Sequence, residues 1–373
     1  MNTKKSILIF SGTFNPCHLG HLLLAKYLKE CVFFDEMWII CQKNNPLKPI
    51  SIVSIKKRIQ MLKLLFLNFK KVKIIENLNY CEYDFFSDLI DKLTENFPLH
   101  EFDLAIGYDN YLNFFQWKNY QNIQNKIKNF YVLLRNINHK SLRNEEKNGL
   151  LKNFIFLNNY QFNISSSQIR IGKKINWLSN EVLNYINKNN LYIEDKINFL
   201  LSEYKITHTK NVTKYGLKLA KIHQVSESDT YAACMLHDIC KSFKVSLMDD
   251  YLRKYGKHLL KEPFSVKHSR VACFYLYYQL KYNNLNVLNA IWKHTTASVK
   301  MSKLDMILYC ADKLSDDRQF FEKKIFRKIV EKDLTLGFRC VLKYNLQEIL
   351  KKNSIIKNFN LLEKKWNLSK IDM

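Results

Sequence analysis

The sequence predicts two unlike halves: a doubly wound α/β domain with a parallel sheet over residues 1–195, then an all-helical domain over residues 196–373. Two patterns carry this. Up to about Glu194, short β-branched or aromatic runs alternate with amphipathic stretches, as βαβ units do. From about Asp195 the strand signal ends and apolar residues recur at helical spacing, as Val212, Tyr215, Leu219 and Ile222 do along one face. Length agrees, because 373 residues exceed the roughly 250 to 300 at which a single core stops growing.

Six strands are read in the first half: Ser6 to Phe10, Met37 to Ile40, Val72 to Ile75, Phe102 to Ile106, Tyr131 to Leu134 and Phe154 to Leu157. Helices are read between them at Leu22 to Glu30, Ile55 to Leu67 and Ser87 to Asn96. In such a sheet ligands sit beyond the carboxyl ends of the strands, so the loops that follow strands are where chemistry belongs. With 47% hydrophobic residues and only 8 Gly and 5 Pro, the chain has little room for a disordered linker.

Bulk properties exclude several classes. The apolar run Ile7 to Phe10 is too short for a secretory segment, and nowhere do about 18 apolar residues run together, so neither export nor a membrane span is expected. The nine cysteines are odd in number and contain no CxxC pair, which predicts reduced thiols in a cytoplasmic protein. The net charge of +25 is carried mostly by Lys spread along the whole length, with much Asn, Ile, Phe and Tyr, the usage of an AT-biased genome. There is no Arg-rich block, so the charge reads as an aid to attracting phosphorylated substrates, and specific nucleic-acid binding is not expected.

The first strand runs into Ser11-Gly12-Thr13-Phe14-Asn15-Pro16-Cys17-His18-Leu19-Gly20-His21 and then an apolar helix. A strand, a Gly-containing loop and a helix N-terminus together present N–H groups and a positive dipole end to an anion. His18 and His21 can face the same oxygens and stabilise charge gained by a phosphate, although a lone H-x-x-H reads more readily as two solvent-facing histidines at a helix cap. Further on, Ile164-Ser165-Ser166-Ser167-Gln168-Ile169-Arg170 is a Ser cluster capping a helix with Arg170 on its first turn, a second anion clamp.

These segments resemble the HxGH nucleotidyltransferase superfamily, whose signature is G-G-T-F-x-P-x-H-x-G-H. Ile106-Gly107-Tyr108-Asp109, Trp117 eight residues beyond Asp109, Pro46-Leu47-Lys48, Arg58-Ile59-Gln60-Met61-Leu62 and the Ser-rich clamp resemble bacterial nicotinate-mononucleotide adenylyltransferases in order and context, over roughly residues 5–195. The resemblance implies a Rossmann-like fold and attack by the phosphate of nicotinate mononucleotide on the α-phosphorus of Mg2+-bound ATP. It implies that His18 and His21 stabilise the transition state. Gly12, Thr13, Phe14, Lys48, Gly107, Ser166, Ser167 and Arg170 would hold the nucleotide and its phosphates, Asp109 the adenosine, and Trp117 the nicotinate ring. Ser11, Leu47, Tyr108 and Asp84-Phe85-Phe86 depart from the pattern, which bears on the acceptor more than on the reaction. The alternative acceptor is phosphopantetheine, whose transferase family starts the motif with Thr in place of His18.

The second half places His208, His237-Asp238, His268, His294 and Asp312 in or beside apolar helical stretches. Buried ionisable groups are costly unless paired or metal-bound, and metal ligation explains why several would converge. The order H…HD…H…H…D resembles the HD phosphohydrolase superfamily, most closely the branch of symmetrical diadenosine tetraphosphate hydrolases, over roughly residues 196–373. The resemblance implies an all-α HD-type fold and a metal centre of His208, His237, Asp238, His268, His294 and Asp312, with two ions of iron or manganese bridged by the catalytic Asp238. The implied substrates are dinucleoside polyphosphates. Lys241 and Arg318 are the nearest basic candidates for phosphate contact. A regulatory, nucleic-acid-binding protein with a degenerate enzyme fold is the alternative from another class. Residues alone leave the oligomeric state open.

Overall fold

β-branched and aromatic runs bounded by polar turns become parallel strands, and six do so here, the four inner ones buried on both faces and the two edge strands only in part. The computed structural model describes residues 4–43, 53–135, 153–160, 163–351 and 359–371. Its strands are β1 (Ser6–Gly12), β2 (Glu36–Cys41), β3 (Val72–Ile75), β4 (Glu101–Gly107), β5 (Phe130–Arg135) and β6 (Phe154–Tyr160). They form one sheet in the order β3-β2-β1-β4-β5-β6, every neighbouring pair parallel. Connections run outward in opposite senses from β1 and β4, so the switch point lies between these two strands. The β1–β4 register runs to Phe10 and Ala105, and Gly12 and Gly107 end their strands two residues beyond it.

The helices of this half are α1 (Leu19–Cys31), α2 (Ile55–Leu65), α3 (Phe86–Asn96), α4 (Tyr108–Leu112), α5 (Tyr120–Lys126), α6 (Ser166–Arg170) and α7 (Asn180–Lys188). Ile7, Leu8, Ile9, Met37, Ile39 and Ile40 are wholly enclosed. α1 begins at Leu19, three residues earlier than the apolar pattern suggests, because His18 takes the N-cap position.

The chain divides into two compact units, Met1–Tyr185 and Ile186–Met373. The second contains α8 (Ile193–Leu200), α9 (Glu203–Ile222), α10 (Glu227–Leu236), α11 (Val245–Tyr255), α12 (Phe264–Phe274), α13 (Leu285–Lys293), α14 (Lys303–Leu314), α15 (Lys323–Lys332), α16 (Leu334–Lys351) and α17 (Phe359–Trp366), with no strand among its described residues. On α9, Val212, Tyr215 and Leu219 are buried as the spacing predicts, whereas Ile222, the helix's last residue, is 42% exposed. No helix among the described residues is long and apolar enough to cross a membrane.

α9 packs against α10 and α14, which brings His208, the end of α10 and Asp312 within reach of one another. Gly216 permits the approach: a Cβ there would sit 2.5 Å from Cys234 Sγ on α10. Gly216→Ala is expected to destabilise the protein by about 1–3 kcal/mol through overpacking, measured by urea denaturation.

Lys196 is buried on α8 with the Tyr192 carbonyl as hydrogen-bond partner, and burial pulls its pKa down to about 8. The unfolded chain therefore binds a proton that the folded chain lacks between pH 8 and 10.5, so stability rises with pH across that window. Lys196→Met at neutral pH is expected to stabilise by up to about 3 kcal/mol and to flatten this rise, read from denaturation midpoints.

Candidate active site and metal centre

Beyond the carboxyl end of β1, the chain turns into the N-terminus of α1. His18 caps α1 with extended dihedrals, and its N–H donates to His21 Nδ1 at 3.1 Å. A nitrogen that accepts cannot carry the ring hydrogen, so the hydrogen of a neutral His21 ring sits on Nε2. The two imidazoles lie 3.8 Å apart at 31°, His18 buried and His21 half-buried. Gly20 makes this possible, since a Cβ there would meet His18 Nδ1 and Ile164 Cγ2 at 2.9 Å each. The Phe14 ring is buried, edge-on to Phe10 and His21, and its backbone takes the left-handed conformation with φ 45°.

The loop is held from outside through its carbonyls. Arg58, 2% exposed, donates from Nη1 to Thr13 O at 2.6 Å and Gln42 O at 2.7 Å, from Nη2 to Lys43 O at 2.9 Å and from Nε to Val53 O at 3.1 Å. Ser166 Oγ donates to Pro16 O at 2.8 Å and Arg170 Nη1 to Asn15 O at 2.9 Å. Ser165 caps α6 in a reciprocal box with Gln168 and shares a 2.8 Å hydrogen bond with the exposed Ser167. Sequence reasoning expects Ser166 and Arg170 at phosphate; here both brace the HxGH loop through the Pro16 and Asn15 carbonyls. Arg58 was read only as part of a pattern, and its role as a carbonyl clamp was missed.

Gly107 caps α4 with open space where a Cβ would be, and Asp109 is exposed on the first turn of that helix. Trp117 is half-buried against Phe86 and Phe114, ring centroids 5.4 Å away in each case. The departing segment Asp84-Phe85-Phe86 therefore lies beside the residue expected at the nicotinate. Lys48 lies outside the described residues.

In the second unit the six expected metal ligands converge. The two oxygens of Asp238, a side chain 1% exposed, face different groups. Oδ2 lies 3.3 Å from His237 Nε2 and 4.0 Å from His208 Nε2, and His208, His237 and Asp312 offer ligand atoms within 4.8 Å of one another. Oδ1 lies 3.1 Å from His268 Nε2 and 3.7 Å from His294 Nε2, themselves 3.3 Å apart.

His237 and His294 cap the C-terminal ends of α10 and α13, where helix carbonyls lack helical partners. Their Nδ1–H groups donate to Cys234 O and Ile291 O at 2.7 Å each, which turns both Nε2 lone pairs inward. His237 Nε2 is sealed from solvent and makes no hydrogen bond. An orphaned imidazole lone pair among acidic oxygens is what a cation satisfies, so this donor set fits a divalent metal.

Burial acts to raise the carboxyls of Asp238 and Asp312, but the imidazoles around Asp238, and Lys313 with His208 beside Asp312, hold both well below the usual carboxylate range. Burial lowers His294 to about 4, so its ring is neutral and able to ligate near pH 7. Three basic groups approach the acids: Lys241 Nζ 2.6 Å from Asp238 Oδ2, Lys313 Nζ 2.7 Å from Asp312 Oδ2 and Arg318 Nη2 3.2 Å from Asp312 Oδ1. Lys313 was not singled out from sequence, nor was Asp317, whose Oδ2 lies 2.7 Å from His208 Nδ1.

A doubly wound sheet with an HxGH helix tip at its switch point, followed by a helical unit enclosing a His/Asp metal centre, defines a nucleotidyltransferase joined to a metal-dependent HD domain. Residues 9–171 match the cytidylyltransferase-like family and residues 206–317 the HD domain. A Leptospira borgpetersenii protein named nicotinate-nucleotide adenylyltransferase is 32% identical over 194 residues, 49% of this chain and 95% of that protein. Proteins of Mycoplasma pneumoniae and Mycoplasma genitalium, both named nicotinate-nucleotide adenylyltransferase/Ap4A hydrolase, are 25% and 26% identical over 90% and 93% of this chain and 98% and 99% of their own lengths. The chain belongs to the nicotinate-nucleotide adenylyltransferase family and carries an HD domain behind the transferase domain.

If the second unit holds metal, metal-stripped protein given Mn2+ at about a hundredfold over Kd should gain about 2.7 kcal/mol of stability. Calorimetry should show a raised melting temperature for wild type and none for His237→Ala.

Proposed function

We propose that the chain is a bifunctional enzyme, its adenylyltransferase in residues 1–195 and its phosphohydrolase in residues 196–373. In the first activity a phosphate oxygen of nicotinate mononucleotide attacks the α-phosphorus of Mg-ATP. The new P–O bond forms as the bond to the β-phosphate breaks, giving nicotinate adenine dinucleotide and pyrophosphate. No protein nucleophile is needed, so catalysis comes from positioning and charge stabilisation. His21 donates through Nε2–H to the developing charge and His18 backs it. Gly12, Thr13, Phe14 and Gly107 line the nucleotide, and Lys48, Ser166, Ser167 and Arg170 attend its phosphates. Asp109 contacts the adenosine and Trp117 stacks near the nicotinate. The paired imidazoles held over the helix tip at the switch point support this reading.

In the second activity a dinucleoside tetraphosphate is cut by water into two diphosphates, a phosphoanhydride P–O bond breaking as water's oxygen bonds phosphorus. His208, His237, Asp312 and Asp238 Oδ2 would hold one divalent ion; His268, His294 and Asp238 Oδ1 would hold another, iron or manganese in each case. Ions held there supply Lewis acidity and acidify water. Lys241, Lys313 and Arg318 draw the polyphosphate toward the acids they now contact and offset charge on the leaving diphosphate. The observation that carries this reading is the division of the Asp238 oxygens between two imidazole groups. Nine free cysteines support a cytoplasmic setting.

Purified protein should release pyrophosphate from Mg-ATP with nicotinate mononucleotide, and His18→Ala should lower kcat about 10²- to 10³-fold. Release with phosphopantetheine and none with nicotinate mononucleotide would refute the acceptor. Chelation and His237→Ala should each abolish tetraphosphate hydrolysis, while the variant keeps dinucleotide synthesis; hydrolysis surviving chelation would refute the metal reading.

A further inference from the structure

His208 differs from the other ligating histidines in where it sits. His237 and His294 lie at helix ends, where an orphan carbonyl takes the Nδ1 hydrogen. His208 lies inside α9, where the carbonyls one turn back are occupied by helical N–H groups, so its ring needs an acceptor from elsewhere. The turn after α14 supplies one. Asp317, whose side chain is 19% exposed, sets Oδ2 2.7 Å from His208 Nδ1, and Asn211, one turn beyond His208 on α9, donates Nδ2–H to Asp317 Oδ1 at 3.3 Å. A carboxylate only accepts, so the hydrogen on Nδ1 goes to Asp317, and Nε2, 3.2 Å from Asp312 Oδ1, is left as the ligating atom once a cation stands between them.

The two ligand groups also differ in charge. The His268 and His294 group has one oxygen of a shared carboxylate. The His208 and His237 group has the other oxygen of Asp238, all of Asp312, and Asp317 behind its imidazole. Lys241, Lys313 and Arg318 offset part of that charge, but they are 38%, 22% and 43% exposed and stand on flexible stems that can turn to a phosphate. Asp317 has no such freedom, since its two oxygens are tied to His208 and Asn211.

We propose that Asp317 is a positioning residue that fixes the His208 imidazole as a ligand and makes the His208, His237 and Asp312 group the tighter, first-filled of two cation positions. The proposal rests on the two-position reading above. Full-length, metal-stripped protein is titrated with Mn2+ while free ion is followed by electron paramagnetic resonance, and the histidine tautomers are read from nitrogen-15 NMR. Wild type should bind one Mn2+ tightly and a second more weakly. Asp317→Asn, which keeps an acceptor and removes the charge, and Asp317→Ala, which removes both, should weaken the tight step about 10- to 100-fold and leave the weaker step in place, and Asp317→Ala should also remove the Nδ1–H signal of His208. His268→Ala should remove the weaker step alone.

Unchanged titrations in both Asp317 variants would overturn the positioning role. So would equal weakening of both steps, the pattern of a merely structural residue, with the retained weaker step serving as the control for folding. Binding of a single Mn2+ by wild type is a different failure: it would refute the two-position reading itself and the filling order with it.

Discussion

A carboxylate 1% exposed to solvent must be surrounded by positive charge or by donors, and the helical unit is arranged around that requirement at Asp238. It follows α10, whose apolar residues Ala232, Ala233, Cys234 and Leu236 commit the segment to the interior. α9, α12, α13 and α14 bring imidazoles or acids to it because their own apolar faces pack on the same core. Packing thus carries the ligands inward, and the ligands then need something to reconcile them. The paired acids stay ionised despite burial because imidazoles and lysine surround them, which keeps their oxygens available as ligands.

The first unit solves a different problem, holding a highly charged substrate against backbone. Arg58, Ser166 and Arg170 take the carbonyls of Thr13, Pro16 and Asn15. In a planar trans peptide the C=O and the following N–H point opposite ways, so seizing Thr13 O and Pro16 O turns the amides of Phe14 and Cys17 away from the clamp. The site's donors are thereby oriented before any ligand arrives, and little reorganisation remains at the moment of reaction. Arg58 serves better than lysine here, because a planar fork can meet carbonyls from Thr13, Gln42, Lys43 and Val53 together.

Sequence made all six strands legible, because each contains a short apolar run with polar turns around it. It made the start of α1 less legible: His18 is an unusual cap, and its pairing with His21 replaces the Ser/Thr signal that marks helix starts. All six expected ligands of the second unit meet, since histidines and acids set in apolar helices have few other stable destinations. Asp317 and Lys313 were not legible as contributors. Nothing in Ser315-Asp316-Asp317-Arg318 separates a solvated turn from one folded back on α9, and that contact exists only once α9 and α14 have packed.

The net charge of +25 acts on both sites at once. Each proposed substrate carries phosphate, and a field summed over many lysines raises the encounter rate of such anions without any one lysine touching them. Such a field is not selective, so selectivity has to come from the short-range geometry of each site. The proposed site at the helix tip offers an anion donors from the start, whereas the acids around Asp238 repel an anion unless positive charge offsets them. A phosphorylated substrate drawn in by the same field therefore meets one proposed site already lined with donors and another whose readiness depends on what offsets its acids.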